Sequence, residues 1–408
     1  MPSHFLKLPL PLAGLLALAV AMGIGRFAFT PILPMMQADM GLSLADGGWL
    51  ASANYLGYLA GALVAARVPW TPSALLKRGL WLVVIMTAAM GITGLWASWL
   101  LWRFMAGVAS AWVMVGTASL CIARLKAAGR EGQGGTVFSG VGWGVAFAGL
   151  VCMALALGGA SPTQAWLLLA VVALGGLVCA STLWRHPTDQ QSPQALAANP
   201  PPATSVPIQN ADDTALDAQA GGAGSLHWGL VWCYGIYGFG YILPATFLPA
   251  QARLLVPDPM LFSLAWPVFG LASGISTLIA ARLQRRYTRR EIWAGSQILM
   301  AIGVVLPLLI HSLAAIIVAA VCVGSTFMVI TMVGLQEAQA SVRPRLVKTQ
   351  IAAMTASFAI GQLIGPLFFS ITHIWFGADL GFALILGAIG LILGTIPILR
   401  PRGQPSTI

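Results

Sequence analysis

Arg26 is the residue whose position is most informative about chemistry. It stands in a long apolar stretch, and Met22, Arg26 and Thr30 share one helical face by their i, i+4 spacing. A guanidinium in apolar surroundings can bind a carboxylate through two parallel hydrogen bonds. We therefore interpret Arg26, with Thr30 beside it, as an anchor for an anionic group. The alternative is structural: Arg26 forms an ion pair or binds backbone carbonyls freed near Pro31 and Pro34.

Aromatic and amide side chains recur at helical spacing in other apolar stretches. Tyr234, Tyr237 and Tyr241 form an i, i+3, i+7 stripe. Asn54 and Tyr58 form an i, i+4 pair. Such groups could line a polar cavity, and they could equally form hydrogen bonds between packed helices. The predicted solute-binding set is Arg26, Thr30, Asn54, Tyr58, Tyr237, Tyr241 and Gln362.

Proton coupling requires a titratable side chain, and the candidates Asp39, Asp46 and Glu337 all stand near the ends of apolar stretches. Ser43-x-x-Asp46 matches a capping pattern, which explains Asp46 as a helix-start cap. Glu337 is expected to face the cytoplasm. No carboxylate falls in the middle of an apolar stretch, which weakens a symport mechanism driven by a buried carboxylate.

The composition places these residues in a membrane protein. Of 408 residues, 58% are hydrophobic and 8% are charged, whereas soluble domains carry about 25% charged residues. The mean hydropathy of +0.85 agrees with lipid as the solvent for most side chains. The net charge of +10 does not indicate nucleic-acid binding, because no soluble face displays the basic residues.

Apolar runs of about 20 residues, long enough to cross a bilayer, occur twelve times. They are continuous rather than alternating, which favours helices over a barrel. The sequence therefore predicts an all-α membrane protein of twelve transmembrane helices. The approximate limits are 9–36, 46–66, 77–97, 99–123, 133–158, 163–184, 227–250, 261–281, 291–310, 313–336, 347–372 and 378–399.

The distribution of charge predicts the orientation of the chain. With these spans, all but three of the 21 basic residues fall in loops or termini on one side of the membrane. The exceptions are Arg26, Arg103 and Arg253. Because basic loops stay in the cytoplasm, both termini are predicted to be cytoplasmic, in a multi-pass protein of a bacterial inner membrane.

The apolar pattern is interrupted once, at 185–226, where the chain is rich in Pro, Ala, Gln and Ser. This composition predicts a flexible cytoplasmic linker. It divides the chain into six-helix bundles at 1–184 and 227–408. A shift of 217 residues aligns Gly107 with Gly324 and Gln133 with Gln350, which suggests two parallel repeats.

Four segments are distinctive in combination: GIGRFAFTPILPMM (23–36), NYLGYLAG (54–61), YGFGYILPATFLP (237–249) and MTASFAIGQLIGP (354–366). Together they resemble the YbfB/YjiJ-type group of the major facilitator superfamily, over nearly the whole chain. The resemblance implies the major facilitator fold, with two six-helix pseudo-repeats. It also implies a secondary transporter that moves a small solute by alternating access.

The resemblance also implies roles for particular residues. Arg103, followed by Gly107, matches a fourth-helix pattern that serves proton coupling in some relatives; the alternative is a side chain that extends to the outer interface. The family's Gly-x-x-x-Gly-Pro pattern of the eleventh span is present from Gly361 to Pro366. Ala65 stands where an Asp is usual, which departs from the family's charged gate. The predicted coupling and gating set is Arg103, Asp46, Glu337, Gly361, Gly365 and Pro366.

The predicted function is secondary transport of a small solute, with an organic anion favoured by Arg26 and Arg103. The alternatives are efflux of an amphipathic drug or metabolite, and a transporter-like sensor that moves nothing. The sequence carries no P-loop, no HExxH and no paired mid-span carboxylates, so an enzyme, a metal site and a cofactor are not predicted. The expected partners are the solute and the lipid bilayer, with a proton as candidate coupling ion. A monomer is expected.

We expect a fluorescent reporter inserted within 185–226 to fold and fluoresce, because the positive loops retain this segment in the cytoplasm. Alkaline phosphatase inserted at the same site should be inactive. The measurement is whole-cell fluorescence against phosphatase activity, and an active phosphatase would show that the predicted orientation is wrong.

Overall fold

The computed structural model describes residues 8–184, 226–255, 259–376 and 380–399, and within these ranges the regular structure is helical. Eleven helices among the described residues are long and apolar enough to cross a membrane. A further helix, α7, occupies the place of the predicted seventh span but is not one of those eleven. The chain is therefore a multi-span helical protein.

Apart from the connection between α6 and α7, the helices follow one another with short connections. In chain order they are α1 (Leu10–Met40), α2 (Leu44–Arg67), α3 (Pro72–Ile92), α4 (Trp96–Ala127), α5 (Gly134–Leu157), α6 (Pro162–Ala180), α7 (Trp228–Leu255), α8 (Pro259–Leu283), α9 (Arg289–Leu309), α10 (Leu313–Ser341), α11 (Val347–Phe376), α12 (Leu380–Leu393) and α13 (Thr395–Leu399). Here, α1–α6 are called the N-terminal half and α7–α13 the C-terminal half.

The start of α3 differs most from the sequence prediction. The helix begins at Pro72 rather than at 77, because the Thr71 side chain accepts a hydrogen bond from the backbone of Ala74. Lys77 and Arg78, which the charge count of the sequence analysis assigned to a cytoplasmic loop, therefore lie one turn inside the helix. The prediction misplaced them because a charged residue near a span end was taken as loop.

Capping residues fix several other helix starts. Ser43 and Asp46 form a capping box at α2, in which Asp46 Oδ2 accepts from the Ser43 backbone at 3.0 Å. Ser161 and Gln164 do the same at α6. The interpretation of Asp46 as a cap is confirmed, and its carboxylate is committed to the helix terminus.

Helix α1 changes geometry in its middle. Residues Ala19–Phe27 form a π-helical segment, a widened turn that occurs frequently at functional sites. Ser110 on α4 donates to the carbonyl oxygen of Ala21 at 2.8 Å, so a neighbouring helix stabilises the widened backbone. Gly23 lies directly against the backbone of Gly144 on α5. The segment thus sits deep in the N-terminal half.

The two halves pack directly against each other through α5 and α8 and through α2 and α11. Along the first seam, a Cβ at Gly142 would lie 2.6 Å from the Gly270 oxygen, and one at Gly149 would lie 3.0 Å from the ring of Pro267. Glycine therefore permits backbone contact between the halves, as small residues do in membrane interfaces. We call the helix ends joined by 68–71, 128–133, 284–288 and 342–346 the basic face, and the opposite ends the far face.

We expect Gly361→Ala to destabilise the protein by about 1–3 kcal/mol, the usual cost of overpacking. A Cβ at Gly361 would lie 2.6 Å from the Phe239 nitrogen of α7, and backbone cannot move aside as a flexible side chain can. The matched control is Gly295→Ala on α9, where nothing lies within 4 Å. Thermal unfolding of the purified variants checks this, and equal melting temperatures would contradict it.

Candidate functional site

Arg26 lies at the contact between the two halves. It is the second-to-last residue of the π-helical segment of α1, and its side chain is 3% exposed. Its Nη2 donates to Oε1 of Gln362 on α11, so one hydrogen bond joins the halves. Its Cζ lies 4.0 Å from the centre of the Tyr58 ring and 5.4 Å from that of Tyr55, both on α2. Aromatic faces thus supply much of the favourable electrostatic environment of the guanidinium.

The remaining donors of Arg26 are unused. Nε and Nη1 have no hydrogen-bond partner within the described residues. Among the described residues, the carboxylates of Glu131 and Glu337 form ion pairs with Arg289 and Arg290, and none pairs with Arg26. One bond to Gln362 leaves the second Nη2 hydrogen adjacent to a hydrogen of Nε or Nη1. The guanidinium therefore retains a two-pronged donor edge.

Arg103 lies directly behind Arg26 rather than at the outer interface. It is 3% exposed, and its guanidinium donates to the carbonyl oxygens of Gly25 at 3.4 Å and Arg26 at 3.2 Å. Its Cζ lies 4.5 Å from the Phe29 ring. The structure thus replaces the outer-interface alternative with a buried arginine that holds the backbone of the π-helical segment. Two guanidiniums share this region without a described carboxylate partner.

The predicted pair on α2 joins this arrangement. Asn54 is fully buried, and its Nδ2 donates to the Arg103 carbonyl oxygen at 3.0 Å. Tyr58 is the ring beneath Arg26. Thr30, by contrast, is exposed one turn beyond Arg26. The structure therefore brings Arg26, Asn54, Tyr58 and Gln362 together and leaves Thr30 outside their bonding network.

A cluster of aromatic rings in the C-terminal half meets α1 through the contact of Phe327 with Phe27, the residue after Arg26. Tyr237 donates its hydroxyl hydrogen to the Phe327 carbonyl oxygen at 2.7 Å. Tyr241 stacks on the Phe327 ring, with centroids 4.4 Å apart and planes at 13°. Phe358 packs 5.0 Å from Tyr237. Sequence analysis found the two tyrosines but missed Phe327 and Phe358, because a phenylalanine in an apolar helix has no polar atom to distinguish it from core.

Gly361 and Gly365 flank Gln362 on α11 and let that helix approach α7. A Cβ at Gly361 would meet α7 backbone, and one at Gly365 would lie 3.6 Å from the Phe239 oxygen. Pro366 follows within the same helix. Gly361 and Gly365 thus set the position of Gln362 by the close packing of α11 on α7.

Glu337 belongs to the basic face and not to the central cluster. It is 3% exposed and accepts from Arg290 Nε at 2.7 Å and Arg289 Nε at 3.3 Å. Arg289 also reaches Glu131 of the N-terminal half at 3.7 Å. A cavity of about 1100 Å³ opens beside this network. The carboxylate of Glu337 is thus neutralised by arginines, which links it to contact between the halves rather than to Arg26.

Lys348 makes a second contact across the basic face. Its Nζ, at the start of α11, donates to the carbonyl oxygens of Val68 at 2.6 Å and Trp70 at 3.3 Å. Trp70 is held by Arg78, whose Cζ lies 3.9 Å from its ring, and by an edge-to-face contact with Trp112 at 5.2 Å. Sequence analysis found the missing Asp at Ala65 but did not find this cation-to-carbonyl contact that joins the same region to α11.

The described residues contain no group of three or more His, Cys, Asp or Glu side chains placed to hold a metal ion. The five cysteines are unbridged, and those within the core include Cys121, Cys152 and Cys233. The central cluster itself consists of guanidinium, amide and aromatic groups.

Comparison with known proteins identifies the family. The model of the family described as "Uncharacterised MFS-type transporter YbfB" matches residues 18–399. The chain belongs to this family of major facilitator transporters. A curated relative, the "Uncharacterized MFS-type transporter YceJ" of Bacillus subtilis (strain 168), is 32% identical over 93 residues. That match covers 22% of the chain and only 24% of the relative.

A solved structure shows the same fold. The human transporter MFSD10 (TETRAN) superposes with a TM-score of 0.66, covering 95% of this chain and 99% of that one, at 14% identity. The resemblance to the major facilitator superfamily inferred from the sequence motifs is thus confirmed by the family model, and the solved structure shows the same fold.

We expect Lys348→Met to weaken closure of the basic face, because it removes a charged donor to two backbone oxygens of α2 and its loop. Thr277 on α8 is fully buried and its backbone lies against Gly135 of α5, so Thr277→Cys reports on opening of the halves. In a background with the native cysteines changed to alanine, thiol labelling at 277 should accelerate about tenfold, the range for a lost charged hydrogen bond.

The control for this measurement is Lys126→Met, since Lys126 is exposed on the same face and lies at the end of α4. Both substitutions remove one positive charge from that surface. Equal labelling rates in the two variants would show that the Lys348 contact does not hold the halves together.

Proposed function

We propose that this protein is a secondary active transporter that moves a small organic anion across the bacterial inner membrane by alternating access. The observation that carries the proposal is the Arg26 guanidinium, buried at the contact of the halves with two nitrogens unpaired among the described residues. The proposed passage lies between bundles 1–184 and 227–408, joined by the linker 185–226. Both termini are proposed to be cytoplasmic.

The energetic argument starts from the cost of burying an arginine. An arginine at the centre of a transmembrane helix costs about 2.5–3.5 kcal/mol on insertion scales, and intramembrane charges therefore usually serve a function. This chain has two, Arg26 and Arg103, each 3% exposed. All eleven Asp and Glu residues of the sequence stand near helix ends or in connecting segments. A negative charge from the solute is the partner that this arrangement is built to receive.

The position of Arg26 also suits alternating access. Its side chain belongs to α1, its hydrogen-bond acceptor belongs to α11, and its stacking partner belongs to α2. Movement of one half against the other breaks the hydrogen bond to Gln362 and preserves the stacking on Tyr58. An anion that binds the open donor edge neutralises Arg26. The halves therefore rearrange around the loaded site at a lower electrostatic cost than around the empty one.

Each component of the site has a proposed role. Arg26 binds the anion, with Tyr58 beneath it and Asn54 bracing it through Arg103. Gln362 exchanges its bond to Arg26 for the solute. Tyr237 and Tyr241 hold Phe327 in the aromatic cluster of the C-terminal half. The networks of Glu337 and Lys348 control closure at the basic face, which we propose is cytoplasmic.

A specific observation favours a second candidate, efflux of an amphipathic metabolite. The contact between the halves next to Arg26 is aromatic. Phe27 lies edge-on to both Trp266 and Phe327, and Tyr241 stacks on Phe327. Such a surface accepts uncharged apolar compounds as well as anions. The two functions differ in their need for Arg26, because only an anion requires the guanidinium.

We expect Arg26→Gln to reduce anion flux about 100-fold or more, since truncating one member of a buried charged pair costs about 2–5 kcal/mol. Anions that raise the melting temperature of the purified protein identify the solute to be used, because ligands stabilise the state that they bind. Flux of that solute into proteoliposomes is then compared for wild type, Arg26→Gln and Arg26→Lys, with Arg26→Lys intermediate because it restores charge without the fork.

The control is Arg286→Gln, which removes an exposed arginine from the 284–288 connection of the basic face. Its flux should stay within about threefold of wild type, as for exposed charges with small energetic effects. Unchanged anion flux in Arg26→Gln would refute the anion mechanism. Binding of a solute without any flux would instead support the sensor alternative.

A further inference from the structure

Two adjacent residues of α1 make contacts of different chemistry with the C-terminal half. Arg26 donates to Gln362 on α11. Phe27 presents its ring to Trp266 on α8 and to Phe327 on α10, with both centroid distances 6.1 Å and interplanar angles of 63° and 86°. The halves are thus joined here by one charged hydrogen bond and two edge-to-face ring contacts, side by side.

Separation of the halves to admit a solute must break both kinds of contact. The guanidinium then needs a new acceptor, and the rings of Trp266 and Phe327 lose the aromatic edge that lay against them. A solute that offers only a carboxylate replaces the first contact. A solute that offers a carboxylate and an aromatic ring replaces both, so it stabilises the opened site more completely.

We propose that the substrate class is aryl carboxylates: a planar aromatic ring joined directly or by a short spacer to a carboxylate. This inference rests on the proposed anion transport and deepens it. The carboxylate binds the open edge of Arg26 in exchange for Gln362. The ring binds against Trp266 and Phe327, where Phe27 lies in the closed arrangement.

The two receiving rings are braced from behind, which makes them a fixed platform. Trp266 stacks on Phe269 with centroids 5.5 Å apart and planes at 8°. Phe327 stacks on Tyr241 at 4.4 Å and 13°. Rings held by parallel stacking keep their orientation when Phe27 leaves. Recognition of an incoming ring therefore needs little reorganisation of the C-terminal half.

The geometry of α1 limits the length of the spacer. The Arg26 Cζ lies 5.6 Å from the centroid of the Phe27 ring. Because the two contacts adjoin, a solute that replaces both must hold its carboxylate and its ring close together. Acids with no carbon, one carbon or two carbons between ring and carboxylate meet this requirement, whereas a long flexible chain also loses conformational entropy on binding.

The test uses the purified full-length chain and matched probes. Benzoate, phenylacetate and 3-phenylpropionate are each paired with the acid in which cyclohexane replaces the ring, and with the corresponding neutral amide. Dissociation constants come from titration calorimetry, with ligand-induced thermal shifts as a second readout. At least one aryl acid should bind about tenfold more tightly than its cyclohexyl partner, the upper range for aromatic pairing beyond buried area, and more tightly than its amide.

The variant that isolates the ring platform is Trp266→Leu, at a partly buried position where leucine keeps apolar contact. It should abolish the preference for aryl over cyclohexyl acid and leave the affinity for the cyclohexyl acid within about twofold. The matched control is Phe239→Leu, because Phe239 pairs with Phe368 at 5.9 Å inside the C-terminal half, away from Arg26. It should keep the preference.

The outcomes separate this inference from the proposed function. Equal binding of aryl and cyclohexyl acids, with both dependent on Arg26, overturns the aryl class and leaves anion transport standing. Failure of all three aryl acids to bind at millimolar concentration, or loss of the preference in Phe239→Leu as in Trp266→Leu, also overturns it. Acid binding that persists in Arg26→Gln overturns the proposed anion mechanism itself.

Discussion

The organisation of this transporter depends on a positive charge buried without a described carboxylate partner. Arg26 is tolerated because the Tyr58 ring lies beneath it and Gln362 accepts one of its hydrogens from the other half of the chain. Neither contact neutralises the charge. The halves consequently meet at a group whose most favourable partner is absent from the described protein. The anionic solute that we propose would complete this core, because a buried polar network is most stable when each member is satisfied.

The local backbone serves that charge. The widened turn Ala19–Phe27 leaves carbonyl oxygens that side chains of α4 bind, with Ser110 at Ala21 and Arg103 at Gly25 and Arg26. Arg103 is thereby used to orient α1, while its own main chain is tied to α2 through Asn54. Three helices of one half thus act as a rigid mount, and movement is left to the contacts between halves.

The sequence predicted those features that follow from hydropathy and polarity. Long apolar runs predicted the helices, and its position inside such a run singled out Arg26 as a candidate site residue. The sequence prediction failed where residue type does not indicate position. Lys77 and Arg78 were placed outside α3 because charged residues near the end of an apolar run are usually found in loops. Phe327 and Trp266 were missed because aromatic residues in apolar helices are usually core. Lys348 was missed because its acceptors are backbone oxygens, which every residue possesses.

A fixed positive charge between two gates also responds to membrane voltage. With the basic face closed, Arg26 is screened from that compartment by the contacts of Lys348 and Arg289. If that face is cytoplasmic, opening it exposes the charge to a negative interior, which is worth up to about 2.3 kcal/mol per 100 mV. A bound carboxylate removes the contribution of one positive charge and leaves that of Arg103. For a carrier that works as proposed, voltage then acts more strongly on the empty form than on the loaded one.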